Sequence, residues 1–395
     1  MRGFRLVVAC LAALCAPALT AAVPAAARDG IGMPIVIGCP AAGNAQFSDA
    51  AIGVDGTIRG FTDTLVGCPT PTPVPGAPMM FFTVSPTGVV VHEASPYHGR
   101  VLRVAWDGQG STYVLFSSGT SISIGKHLDS GVFAPSTTLS RTAPQDFLGN
   151  SVSHYPAALT AAAGHWWAVW GEQNPVAPPP PHSLARYQLF GAHTLLGHRM
   201  RARITTLPAT EGDTYPDLAY RPGQVTLLWT RAFHVATPTE RSVLRIATST
   251  GENWQSRQLT GGGVANYGGA LAVYNGATYV SWVRTSDVQR LHPQILYASN
   301  LHTGSRFTPI VAYSRLTVGE PAFTTTIAVS GSTVFIAFSQ AGAVVSGTVV
   351  IPRRHFVAGM SGEMLRIMAQ GSTGRLLYAP QNCCGAPINV SILPL

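Results

Sequence analysis

An all-β repeat architecture is the fold class that the sequence predicts, and three observations carry it. First, a glycine turn is followed seven times by a short apolar run that ends on an aromatic residue. These anchors are Phe61, Phe116, Trp170, Trp229, Trp282, Phe338 and Tyr378, spaced by 55, 54, 59, 53, 56 and 40 residues. A period in this range marks stacked copies of one supersecondary unit. Second, each clear period holds four strand-like runs separated by turn residues. From Tyr215 the runs read PDLAY, VTLLW, VLRIATS and WQSRQLT, broken at Arg221-Pro222-Gly223 and Gly251. The next period repeats this from Tyr267, with turns at Asn275-Gly276 and Thr303-Gly304. Third, no segment of useful length has an apolar stripe at helical spacing. Four antiparallel strands per repeat, set around a ring, make a β-propeller blade. The expectation is a single β-propeller of seven four-stranded blades, or six if a terminal copy is degenerate.

Residues 1–27 stand apart from the repeats. Arg2 and Arg5 precede the apolar stretch Leu6 to Leu19, and Ala25-Ala26-Ala27 offers a small-residue cleavage site, with a second possible cut after Ala22. This is the pattern of a secretory signal peptide. Residues 28–395 are expected to form the propeller, secreted to the extracellular space. No later stretch approaches the roughly 20 apolar residues that span a bilayer as a helix.

At the mature N-terminus, Met33 to Ile37 reads as a strand with no blade of its own. At the other end, Met364 to Gln370, Arg375 to Tyr378 and Ile388 to Leu393 supply only three strands of a last blade. Placing the N-terminal strand as the outer strand of that blade closes the ring.

Four cysteines follow the signal segment, Cys39, Cys68, Cys383 and Cys384. An even count in an exported chain reads as disulfides. Cys39 follows the closing strand, and the other three lie in matching loops of the first and last blades. Pairing of Cys383 and Cys384 with Cys39 and Cys68, in either order, would tie the two ends of the chain. An adjacent cysteine pair does not fit zinc-ligand spacing.

Charge excludes some functions. Without Arg2 and Arg5 the chain keeps 23 basic and 17 acidic residues, and Lys126 is its one lysine. The arginines are scattered along the repeats, whereas a nucleic-acid binder gathers them into a stripe. No P-loop, G-x-S-x-G elbow or H-E-x-x-H helix occurs, so no cofactor or metal is expected. His234 and His292 lie in long loops without ligand spacing.

The turn between third and fourth strands carries a family resemblance. Gly251 and Trp254 occupy the glycine and tryptophan positions of an Asp-box, with Ser249 where the box has aspartate and Ala247 where it has serine. Gly304 and Phe307 repeat the arrangement, with His302 at the acid position. The chain therefore resembles sialidase-like (Asp-box, or BNR-repeat) propellers over about residues 150–340. The resemblance implies a propeller fold, and a glycoside hydrolase if the protein is an enzyme.

In a propeller, ligand-facing loops crowd one mouth of the central channel. Tyr155, Tyr215 and Tyr267 precede their anchors by 15, 14 and 15 residues and are expected to form an aromatic collar for sugar rings. The position two residues after each anchor holds Ser118, Glu172, Arg231, Arg284 and Gln340. Arg231 and Arg284 suit a carboxylate or sulfate. The acids near this face are Glu172, Asp213, Asp217, Asp287 and Glu320, of which Glu320 and then Asp213 are the candidate general acid or base. The run Pro178–Pro181 forms a stiff loop. The leading functional expectation is a monomeric, non-cleaving propeller that binds a polysaccharide or cell-surface ligand at one channel mouth. A sialidase-like hydrolase for an anionic sugar and a protein-interaction platform are the alternatives.

Overall fold

The computed structural model describes residues 35–40, 48–62, 64–65, 78–119, 121–141, 156–173, 187–195, 201–234, 241–250, 253–261, 265–285, 293–301, 306–313, 322–340, 343–350, 353–371, 373–380 and 390–394. The expected signal segment lies outside them, as do Tyr155, Glu320, Asp287, His292, Pro178–Pro181, Cys68, Cys383 and Cys384.

All the strands pair antiparallel, in five four-stranded sheets and one eight-stranded sheet among the described residues. This is a β-propeller type of architecture. The apolar runs seen in the sequence form the second strand of each unit. In Ser111–Ser118, Gln224–Phe233 and Ala277–Thr285 six or seven consecutive residues are buried. A strand reads this way when sheets cover both of its faces. Every aromatic anchor is accordingly buried, with Phe61, Trp170 and Phe338 at 0% exposure. Outer strands behave oppositely, and all four residues of Gln255–Gln258 are exposed.

Turn chemistry fixes the hairpins. Asn275 and Gly276 both have positive φ (48° and 75°) between the paired residues Tyr274 and Ala277. Two consecutive left-handed residues give the tight turn whose twist matches antiparallel strands, and Asn-Gly is the favoured pair for it.

The eight-stranded sheet joins two such units through one 18-residue strand, Arg353–Gln370. Its first half pairs with Ala343–Val350, and its second half, from Gly362, with Thr373–Pro380. Val390–Pro394 follows, and the N-terminal strand Ile35–Pro40 pairs with it through Ile35↔Ile392 and Val36↔Ser391. The described part of the strand expected at Met33–Ile37 thus partners the C-terminal strand. Its far end, Cys39 and Pro40, pairs with Leu65 and Thr64.

The core is a series of apolar layers between neighbouring sheets. Leu115 and Ile122 of one sheet pack with Leu159 and Trp170 of the next; Trp167 and Leu189 pack with Leu227 and Trp229. Leu228 and Leu244 meet Val280 and Trp282. At the ends of the chain, Ile37, Met368 and Leu377 share a layer with Ala50, Ile58 and Phe82. The first strands of successive sheets stand side by side, and Arg353–Gln370 lies against both Ala322–Ser330 and Ser48–Ile52.

Candidate functional site

The first strands meet around a cavity of about 370 Å³. Ser48, Arg103, Thr160, Asp217, Leu271, Thr325 and Arg366 line it, each from a different first strand. Apolar residues dominate these strands, so the charged ones need a local cause, and β-bulges supply it. The pairing register shifts between Val101 and Arg103, between Thr214 and Asp217, and between Met364 and Arg366. A bulge bends its strand and re-aims the next side chain. After each shift the charged residue lies opposite Leu115, Leu228 or Leu377, the residue just before an aromatic anchor. Three sheets therefore place charge at one register level of the cavity.

Asp49 completes the cluster. Its Oδ2 accepts hydrogen bonds from the Val104 backbone N–H (2.6 Å) and from Arg366 Nη1 (2.8 Å). Asp217 is held the same way, accepting from the backbone N–H groups of Leu218 (3.0 Å) and Leu271 (2.7 Å). Each aspartate thus secures the backbone of the following sheet's first strand, 55 or 54 residues on. Burial pushes the Asp217 carboxyl up, against the pull of Arg366, the two backbone bonds and Arg103. Burial draws the Arg103 guanidinium down, partly offset by Asp49 and Asp217. Burial acts on Arg366 too, but Asp49 and Asp217 outweigh it and its affinity for the proton is raised.

The residues expected on the binding face fall into separate settings. Asp213 is fully buried and accepts from Arg231 Nε (2.9 Å), Arg231 Nη2 (3.0 Å) and the indole N–H of Trp229 (3.0 Å). Burial pushes its carboxyl up, while Arg231, Thr205 and Trp229 pull it back. Glu172 is also buried, receiving Ser140 Oγ (2.7 Å), Trp170 Nε1 (2.9 Å) and Arg201 Nη2 (2.8 Å to Oε1). In the next sheet Trp282 donates to Asn266 Oδ1 at 3.0 Å. Each tryptophan anchor thus has a buried acceptor for its indole N–H. Glu172 and Arg231, expected in loops, are strand residues of His165–Gln173 and Gln224–Phe233 because the second strands run past their anchors. Arg284 is likewise in a strand, but exposed.

The tyrosines are not equivalent, which corrects the expected collar. Tyr267 lies opposite Val283, one past its anchor, and the residue in that register of the preceding sheet is Thr214, opposite Thr230. Tyr215 instead matches Gly268: each sits in the bulge with positive φ, 48° and 59°. A slip of one residue sends a strand side chain to the other face. Tyr267 packs in the apolar layer with Tyr279, Ile295 and Phe338, whereas Tyr215 lines the cavity.

Asp49, Arg103 and Arg366 were not singled out by the sequence reading. A signal was present: Asp49, Asp217 and Arg366 each precede their anchor by 12 residues, and Arg103 by 13.

No protein-family model matches the chain, and no curated protein matches it either. Solved structures do. The polysaccharide lyase Uly1 is similar over 93% of this chain and 99% of its own, at 10% identity and a TM-score of 0.55. A protein of unknown function from Dyadobacter fermentans matches over the same shares at 10% identity and a TM-score of 0.51. Trypanosoma rangeli sialidase matches over 79% of this chain and 57% of its own, at 8% identity and a TM-score of 0.47. The chain is similar in fold to the first two of these proteins.

Proposed function

We propose that the protein is an exported β-propeller of seven blades that binds a polysaccharide or cell-surface glycan at one mouth of its central cavity without cleaving it. The observation that carries this reading is the cavity itself, where first strands from every sheet converge and Tyr215 stands on the lining. A tyrosine offers a sugar both an apolar face and a polar tip, and pockets of this size accept small ligands. The likeness in fold to a polysaccharide lyase over nearly the full length of both chains supports a carbohydrate ligand. Among the described residues, the state of the candidate acids supports binding over cleavage. Glycoside hydrolysis generally needs two carboxyl groups flanking the bond, yet Asp49, Asp213, Glu172 and Asp217 are all engaged within the fold.

Residues 1–27 as signal peptide and 28–395 as one domain belong to the same proposal. The pairing of Ile35–Pro40 with Val390–Pro394 supports a ring closed by strand exchange. Cys39 pairs with Leu65, three residues before Cys68, which supports a disulfide at this seam. Non-reducing peptide mapping checks that part. A glycan microarray checks the ligand: the wild type is expected to bind a discrete set of glycans, and Tyr215→Ala to lose them. Binding that is unchanged in a folded Tyr215→Ala variant overturns the site.

A further inference from the structure

Among the described residues, one guanidinium in the cavity donates no hydrogen bond to the carboxylates around it. Arg366 is held through Nη1, which donates to Asp49 and to the Val104 carbonyl oxygen, at 2.8 and 3.3 Å. Both Asp217 oxygens accept backbone N–H groups. Arg103, at the same register level, donates one hydrogen bond among the described residues, from Nη1 to the Leu102 carbonyl oxygen at 2.7 Å. A guanidinium carries five N–H donors in a planar fork. Such a fork with spare donors, held inside a protein-walled cavity, matches an oxyanion through two parallel hydrogen bonds. The bulge before Arg103 fixes where its strand delivers the side chain.

We infer that Arg103 is the receptor for an oxyanion inside the cavity, with Arg366 adding charge beside it. Resting on the glycan reading above, the oxyanion is the carboxylate or sulfate substituent of an acidic sugar; a free inorganic anion shares the same chemistry. Asp49 and Asp217 balance the two arginines in formal charge. The site therefore selects by the geometry of the fork more than by net positive charge, so binding should depend weakly on salt.

The test is calorimetric titration of the full mature chain with trigalacturonate, with the neutral trisaccharide maltotriose, and with sodium sulfate. Trigalacturonate is expected to bind the wild type, and Arg103→Gln to weaken it by about tenfold or more, as befits loss of a charged hydrogen-bonding group. Arg103→Lys keeps the charge without the fork and should also lose about tenfold. It carries the test if Arg103→Gln fails to fold. Sulfate binding that depends on Arg103, with both sugars silent, keeps the oxyanion site and overturns its assignment to an acidic sugar. Equal binding of both sugars that survives a folded Arg103→Gln overturns the site and keeps the glycan reading. Silence of all three probes overturns the oxyanion site and leaves the glycan reading to the microarray, and full affinity in Arg103→Lys overturns recognition by the fork.

Discussion

Asp213 and Arg231 face each other across adjacent antiparallel strands and form a two-pronged ion pair, at 2.9 and 3.0 Å, with Asp213 wholly excluded from water. Removing one partner of such a pair leaves a charge buried without compensation. Arg231→Met is expected to cost about 3–5 kcal/mol of unfolding free energy. The apolar double variant Asp213→Leu/Arg231→Met should recover most of it. Arg284→Met, two residues after the equivalent anchor but exposed, should change stability by no more than about 0.5 kcal/mol. Urea titration of the variants checks the ranking. Equal costs for Arg231→Met and Arg284→Met would contradict the assignment.

A second pair acts over a greater distance in sequence. Asp49 and Arg366 are 317 residues apart along the chain and 2.8 Å apart in space. Asp49→Ala strips both Arg366 and the Val104 N–H of their acceptor and should cost about 3 kcal/mol or more. Asp49→Asn keeps an oxygen for the N–H and should cost less. Limited proteolysis near both termini should accelerate in the same order, since this contact links the N-terminal and C-terminal sheets.

The scaffold was legible because its signals are periodic. Glycine turns, unbroken apolar second strands and aromatic anchors recur at one spacing, and the strand at Ile35–Pro40 could be paired with the chain's other end by counting strands. The cavity was less legible because bulges break the period. An extra residue between Thr214 and Asp217, or between Tyr267 and Ala270, changes which side chain faces inward without changing composition. Offsets of 14 and 15 residues from the anchors read as one position, which equated Tyr215 with Tyr267. The bulge lies at the same register in both sheets, and the one-residue difference puts Tyr215 in the bulge and Tyr267 before it. Asp213 and Arg231 lie 18 positions apart, and only the hairpin register makes them one ion pair.

The two tyrosines should separate by assay. Tyr267, 3% exposed within an intersheet layer, behaves as a core aromatic. Tyr267→Ala is expected to lose about 3–5 kcal/mol of stability. Tyr215 occupies a left-handed bulge on the cavity wall, a conformation that disfavours residues with a Cβ. Tyr215→Gly should hold or raise the melting temperature while removing glycan binding. A Tyr215→Gly variant that melts far below the wild type would show that the ring packs as core.

His127 is the group most suited to making the fold pH-sensitive. Its ring is buried, stacked on Phe81 at 3.9 Å between centroids and against Phe133 at 4.6 Å. Nε2 lies 3.3 Å from Glu93 Oε2, and Nδ1 finds no hydrogen-bond partner among the described residues. Burial lowers the affinity of His127 for its proton below the ordinary value of 6.5, and the charges of Glu93 and Asp129 only partly oppose this. The unfolded chain then binds that proton more tightly than the folded one. Stability is fully present above pH 6.5 and falls as the pH drops below it, by at most about 1.4 kcal/mol per pH unit from this one group. Other buried acids titrate as well, so the informative quantity is the difference between wild type and His127→Phe. That difference should be flat above pH 7 and shift in favour of His127→Phe as the solution is acidified. An unfolding free energy that falls equally in both proteins would assign the acid sensitivity to carboxylates held low by an arginine, such as Asp55 beside Arg59. The raised Asp213 and Asp217 instead favour the fold on acidification.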